Sequence, residues 1–129
     1  MKLTLQTPGR KLLDGIDVVE VVVPASKGQL GIFPDHTNLV SELETGVLKW
    51  RTEGAHEMDT AVVTWGFLQI KDQHVSVLAD VSELAHEVDK GRAKTAEDEA
   101  AQKLAKGGVD LDFHKQAQKL KRAQARQEV

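Results

Sequence analysis

The chain has 129 residues, 40% of them apolar and 29% charged, with a formal net charge of −3, which suits one compact domain carrying an appendage. It holds no cysteine, which excludes a disulfide framework, a thiolate metal site and a cysteine nucleophile. No apolar run approaches the about 20 residues of a membrane-spanning helix, and the N-terminal residues lack the apolar core of a signal peptide, so a cytoplasmic protein is expected.

The first predicted strand is residues 2–7, where Leu3 and Leu5 alternate with Lys2, Thr4 and Gln6. A valine-rich strand over 17–23 follows, and Pro24 is expected to stop it. Further strands are predicted over 39–43, 46–51, 57–64, 65–71 and 74–79. Turn signals separate them at Pro8-Gly9, Asp14-Gly15, Lys27-Gly28, Pro34-Asp35, Glu53-Gly54 and Lys71-Asp72-Gln73. Short strands with closely spaced turns, and no helical period between them, predict an antiparallel β-sandwich or barrel.

Near residue 84 the composition changes. Seven of the ten glycines and all three prolines lie before it, and alanine, lysine, glutamine and glutamate dominate after it. Asp89 is the expected N-cap of a first helix, with Ala93, Ala96, Ala100 and Leu104 on one face and Gly107-Gly108 at its end. A second helix starts at Asp110 or Asp112 and places Phe113, Ala117, Leu120 and Gln124 on one stripe. The expected organisation is a β-sandwich in residues 1–84 and an αα-hairpin in residues 85–129. Alanine-rich faces bury little area, so the hairpin is marginal on its own and is a candidate moving part.

Charge follows the same division. Residues 1–87 carry seven Lys/Arg against thirteen Asp/Glu, and residues 88–129 carry ten against seven. In the tail the basic residues are interleaved with carboxylates and a single aromatic, Phe113, so nucleic acid is not the expected partner. No phosphate-binding glycine loop, dinucleotide fingerprint or nucleophile elbow is present. The histidines (His36, His56, His74, His86 and His114) are scattered singly, without metal-ligand spacing. Asp35-His36 could pair as acid and base on paper, but neighbours in a strand-entry turn point apart. The chain therefore reads as a non-enzyme.

One segment, residues 28–39 (GQLGIFPDHTNL), sets Leu30, Ile32 and Phe33 beside permissive glycines. It reads either as a rigid loop between strands or as an apolar surface for a partner. The segment is similar to the Gly-x-Leu-Gly-x-x-Pro-x-His stretch of the ε subunits of F-type ATP synthases. Gly46-Val47-Leu48, Trp65-Gly66-Phe67-Leu68-Gln69-Ile70 and Val75-Ser76-Val77-Leu78-Ala79-Asp80 resemble that family as well, and so do helices beginning at Val88-Asp89 and after Gly107-Gly108.

The resemblance implies a sandwich of about ten strands followed by a helical hairpin. It implies a non-catalytic subunit of the rotating central stalk, set between the γ subunit and the c subunits of the membrane rotor ring. Leu30, Ile32, Phe33, His36 and Leu39 would then be partner contacts. The C-terminal helices would meet the catalytic α and β subunits and brake ATP hydrolysis through Lys115, Lys119, Lys121, Arg122 and Arg126. No cofactor is required, but ATP is implied as a regulatory ligand of Glu83, Val88, Asp89, Arg92, Ala93, Arg122 and Arg126. Arginine forks onto phosphates, and a helix N-terminus favours anions. Val88 stands where the family has Ile or Leu, and Gly91 loosens the first helical turn. The implied location is peripheral, on the cytoplasmic face of a bacterial plasma membrane or, failing that, in a plastid. Two other classes remain open on the residues alone: a sandwich adaptor with a basic tail for an acidic partner, and an ATP-sensing module.

Overall fold

The computed structural model describes residues 1–88, 90–106 and 113–129. Its strands are β1 (Lys2–Gln6), β2 (Lys11–Asp17), β3 (Glu20–Ala25), β4 (Gly28–Ile32), β5 (Leu39–Leu43), β6 (Gly46–Arg51), β7 (Asp59–Val63), β8 (Gly66–Lys71), β9 (His74–Ala79) and β10 (Ser82–Leu84). A short 3₁₀ turn, Ala85–Glu87, leads to α1 (Lys90–Lys106) and α2 (Phe113–Glu128). The strands follow the order β10-β7-β6-β3-β5-β8-β9-β1-β2, with β4 added to β3. This is a mostly antiparallel β-sandwich followed by two helices, the expected class.

The path folds over where β3 passes from β6 to β5. Residues Glu20, Val21 and Val22 pair with β6, whereas Ala25 alone pairs with Leu43 of β5. Pro24 sits at this corner and does not stop the strand, because a missing amide costs least where β3 changes neighbours. The backbone of β5–β6 stays close here. Glu44 donates its N–H to the Pro24 carbonyl, and a Cβ on Gly46 would stand 2.9 Å from the Pro24 ring.

Inward-facing residues of both layers make one core. Leu3, Leu5, Val21, Val23, Ile32, Leu48, Val63, Leu68, Val75 and Val77 are fully buried, and Trp50 packs with them. Alternation holds along β8, where Leu68 and Ile70 point in and Phe67 and Gln69 point out. In β7 the buried run Ala61-Val62-Val63 breaks that rule, because α2 covers the outer side. Val62 and Val47 there pack with Ala125, and Val88 and Val129 close the edges.

Besides the altered bounds of β3, three strands were absent from the sequence expectation. Strand β2 was hidden by Asp14-Gly15, which is a bulge and not a turn. Leu3 opposes Ile16 and Leu5 opposes Leu13, so one extra residue is accommodated there, and a second where Gln6 opposes Lys11. Gly15 takes φ +60° there, and its N–H donates to the Thr4 hydroxyl. Strand β4 lies in the segment read as a loop, and its ladder partner is β3. Strand β10 is only three residues long and runs along β7. One pairing is parallel, β1 with β9, which the antiparallel expectation did not include.

The helices α1 and α2 pack on each other, and α2 also contacts β6 and β7. The expected α2 stripe is rotated: Gln124 is exposed, while Ala123 and Ala125 are buried. Ala100 of α1 is buried as expected. Asp89, the expected N-cap, and residues 107–112 lie outside the described residues.

Candidate functional site

Three surface features carry the site residues. The first is an apolar outer face on β5, β8 and β9. Val40, Phe67 and Leu78 point outward, and Phe67 pairs across the ladders with Leu78 and Glu42. Trp65 precedes β8 and joins them, so large apolar groups stand more than a third exposed on one side of the sandwich. A groove of about 340 Å³ runs between Pro8, Trp65, Phe67, Leu78 and Asp80. Exposed apolar surface of this extent is unusual on an isolated soluble protein. It was missed in the sequence, although a signal existed: Phe67 and Leu78 occupy the polar phase of otherwise regular alternations.

The second feature is the β4–β5 loop. Phe33 is 55% exposed and Leu39 is 37% exposed, whereas His36 and Leu30 are half-buried. Ile32 is fully buried, so it belongs to the core and not to a partner surface. The alternation of β4 turns it inward against Val21, while Leu30 packs on the core's margin. The loop is held from the neighbouring β8–β9 turn. Gln73 Nε2 donates to Asp35 Oδ1 at 2.9 Å, Asp35 N–H donates to Gln73 Oε1 at 3.0 Å, and Asp72 N–H donates to Asn38 Oδ1 at 3.1 Å. Asp35, Asp72 and Gln73 all take positive φ to make these turns.

The burial split gives a test. Ile32→Ser is expected to destabilise the chain by about 3 kcal/mol, as core truncations do, while Phe33→Ser should leave the thermal midpoint unchanged. Calorimetric melts of the two variants read this directly.

The third feature is the underside of α2. Lys121 Nζ lies 3.7 Å from Glu44 Oε2, and both side chains are about half exposed. Arg126 Nη2 lies 2.5 Å from Glu83 Oε1, and each of these side chains is 26% exposed. Thr45 donates to Gln118 Oε1, and Gln127 Nε2 donates to Glu97 of α1 and to the Ala123 carbonyl. Lys119 and Arg122 are half-buried, Lys121 is exposed, and Val88 packs in the cluster with Val47, Val62 and Ala125. Arg126 Nε is buried with no hydrogen-bond partner among the described residues. Arg92 lies on α1, exposed. The fold therefore brings Glu83, Val88 and Arg126 together. Asp89 lies outside the described residues, as do the side chains of Ala93 and Lys115.

Just before the helices, Glu87 accepts two hydrogen bonds from Arg10 and one from the Leu84 N–H. The Arg10 fork first, and then the Leu84 amide, hold the Glu87 carboxyl down at about 2 from its usual 4.5. Sequence reasoning had no access to this pair, whose members lie far apart in the chain. No group of acidic residues or histidines able to hold a metal is found among the described residues.

The model of the β-sandwich domain of the ATP synthase delta/epsilon chain matches residues 1–85. The chain belongs to this family. Relatives agree: it is 46% identical to the ATP synthase epsilon chain of Bdellovibrio bacteriovorus over 89 residues, which cover 69% of this chain and 64% of that one. It is 34% identical to the ATP synthase epsilon chain of Bacillus velezensis over 129 residues, covering 100% of this chain and 96% of the relative. Among solved structures, a chain in the Euglena gracilis mitochondrial ATP synthase (OSCP/F1/c-ring) superposes with a TM-score of 0.85 at 21% identity, covering 97% of this chain and 78% of that one. That likeness is one of fold. As a member of this family the chain is a non-catalytic ATP synthase subunit, in keeping with the sequence reading.

Proposed function

We propose that the chain is a rotor subunit of the central stalk, coupling rotation between γ and the c-ring, and that its C-terminal helices restrain ATP hydrolysis. The observation that carries the regulatory half is how lightly α2 is held. Among the described residues, its contact with the sandwich is a small aliphatic cluster, one part-exposed ion pair, one exposed pair and the Thr45–Gln118 hydrogen bond. Exposed pairs are worth little individually, so the balance between docked and released helices is easily shifted. The same Lys121 and Arg126 that meet Glu44 and Glu83 would then meet acidic surfaces of the catalytic subunits, with Lys115, Lys119 and Arg122 beside them.

The exposed face of Val40, Trp65, Phe67 and Leu78 supports docking of the sandwich flank on γ, and Phe33 with His36 and Leu39 supports contact with the ring. No described helix is long and apolar enough to cross a membrane. Membership of the family supports the reading of a peripheral protein on the cytoplasmic face. Removing residues 85–129 should raise the hydrolysis rate of the assembled complex several-fold while leaving assembly intact. An unchanged rate would remove the regulatory reading.

A second reading, ATP as a regulatory ligand of the hairpin, is favoured by one observation. The buried Arg126 Nε has no hydrogen-bond partner among the described residues, which leaves a donor for an anion between Glu83 and the helices. Arg92, Arg122 and Arg126 would bind phosphate oxygens, and Glu83 and Asp89 would accept from the base or ribose. A ligand that binds only the closed hairpin stabilises it by mass action. Calorimetry on the full chain should show heat with Mg-free ATP, and Arg126→Ala should abolish it. Absence of heat at millimolar ATP would sink this reading.

A further inference from the structure

Where a movable helical pair pivots is decided by which contacts stay behind. Residues 82–87 are tied to the sandwich by bonds in which the helices take no part. Arg10 is itself fixed in the β1–β2 turn, where the Thr7 N–H donates to the Arg10 carbonyl and the Arg10 N–H donates to the Thr7 hydroxyl. From there its guanidinium reaches across to the end of the sandwich. Nη1 donates to Glu87 Oε2 at 2.8 Å, and Nη2 donates to Glu87 Oε1 at 2.9 Å and to the Ser82 carbonyl at 3.1 Å. Glu87 Oε1 also takes the Leu84 N–H, and the Ser82 hydroxyl donates to the Val62 carbonyl. Beyond Glu87 the ties are of another kind: Val88 packs against Val47, Val62 and Ala125, a cluster that α2 completes.

We propose that the Arg10–Glu87 fork is the anchor of a hinge, holding residues 82–87 on the sandwich so that the helical pair swings from Val88 onward. Arg10 and Glu87 are positioning residues in this device, acting through the segment that they hold. The inference rests on the reading that the helices leave the sandwich. Without the fork, β10 has only three residues paired with β7, and Glu83 within it is pulled by Arg126 of α2. A swinging helix would then peel β10 away and leave the edge of β7 from Ala61 to Val63 unpaired. With the fork, the sandwich stays whole in both positions. A bidentate guanidinium–carboxylate pair suits this role because it resists rotation as well as separation. The depressed Glu87 carboxyl keeps the pair ionised through the physiological range.

The test is amide hydrogen exchange on the full chain, with the helices forced off by Ala125→Asp combined with Lys121→Glu. These changes bury a charge in the aliphatic cluster and repel Glu44. The expected result is fast exchange in α1 and α2 with wild-type protection at residues 82–87. Adding Arg10→Ala should then speed exchange at 82–87 about tenfold and leave β5 and β8 unchanged. The same shift at 82–87 is expected from Arg10→Ala in the otherwise native chain, and Arg10→Lys, which cannot fork, should restore only part of the protection. Loss of protection at 82–87 together with the helices while the fork is intact would overturn the proposal. So would an Arg10→Ala variant whose residues 82–87 exchange as in the native chain. Neither outcome depends on hydrolysis rates, so failure of the hinge and failure of the regulatory reading are told apart.

Discussion

Gly66→Ala is expected to be among the most damaging single substitutions in the sandwich. A Cβ at this position would lie 1.9 Å from the Leu78 carbonyl oxygen and 3.0 Å from the Ala79 Cα, both backbone atoms of the paired strand β9. The obstacle is not a side chain that can turn away. Relief requires β8 and β9 to separate where Gly66 opposes Ala79, at one end of their ladder and inside the layer β5-β8-β9-β1-β2. Overpacking of a core typically costs 1–3 kcal/mol, and a clash with main chain belongs at or above the upper end, so a loss of about 3 kcal/mol is expected. For a domain of this size that lowers the thermal midpoint by roughly 10–20 °C. Calorimetric melting of the variant checks it, and a midpoint within a few degrees of wild type would show that the strands yield more easily than their geometry suggests.

The second large effect concerns docking and not folding. Trp65→Ser with Phe67→Ser removes two aromatic side chains that are each more than half exposed, so the sandwich core loses nothing. If this face meets a stalk partner, buried aromatic anchors of this type contribute about 2 kcal/mol apiece, and removing the pair should weaken association by about 1,000-fold. Titrating the double variant into an ATP synthase complex stripped of this chain measures it, with circular dichroism confirming an intact fold. Binding equal to wild type would move the docking surface elsewhere.

How much of this was legible in the sequence depended on how faithfully each strand kept its period. Strands over 39–43, 46–51 and 74–79 were readable residue for residue, because Val75, Val77 and Ala79, for example, alternate without interruption. Strand β2 was not, since its bulge places Leu12 and Leu13 side by side and inserts an Asp-Gly pair that reads as a turn. Strand β4 was concealed by its two glycines, and β3 was cut short because a proline in a strand normally marks its end.

The helices followed from composition, but the face that α2 buries did not. Alanines on all sides leave the periodicity undetermined until β6 and β7 supply something to pack against. The candidate site behaved similarly. Phe33 and Glu83 were reachable from local pattern and resemblance. Glu44 and Arg10 acquire meaning only from chain crossings that no local window contains.

The parallel pairing of β1 with β9 has a consequence in time. During synthesis the first strand emerges with β2 available almost at once. Its other neighbour arrives only when the residues from His74 to Leu78 have followed. Leu3 and Leu5, fully buried in the finished molecule, therefore wait with one side of their strand unpaired while most of the sandwich is still being made. Pairings this distant along the chain are slow to close and leave apolar strand edges open to other molecules in the interval. The helices are made last and so meet a sandwich that already has every strand it needs. Vectorial synthesis thus builds the sandwich before the helices, and a ribosome stalled before β9 would release a chain whose N-terminal strand has only β2 to close against.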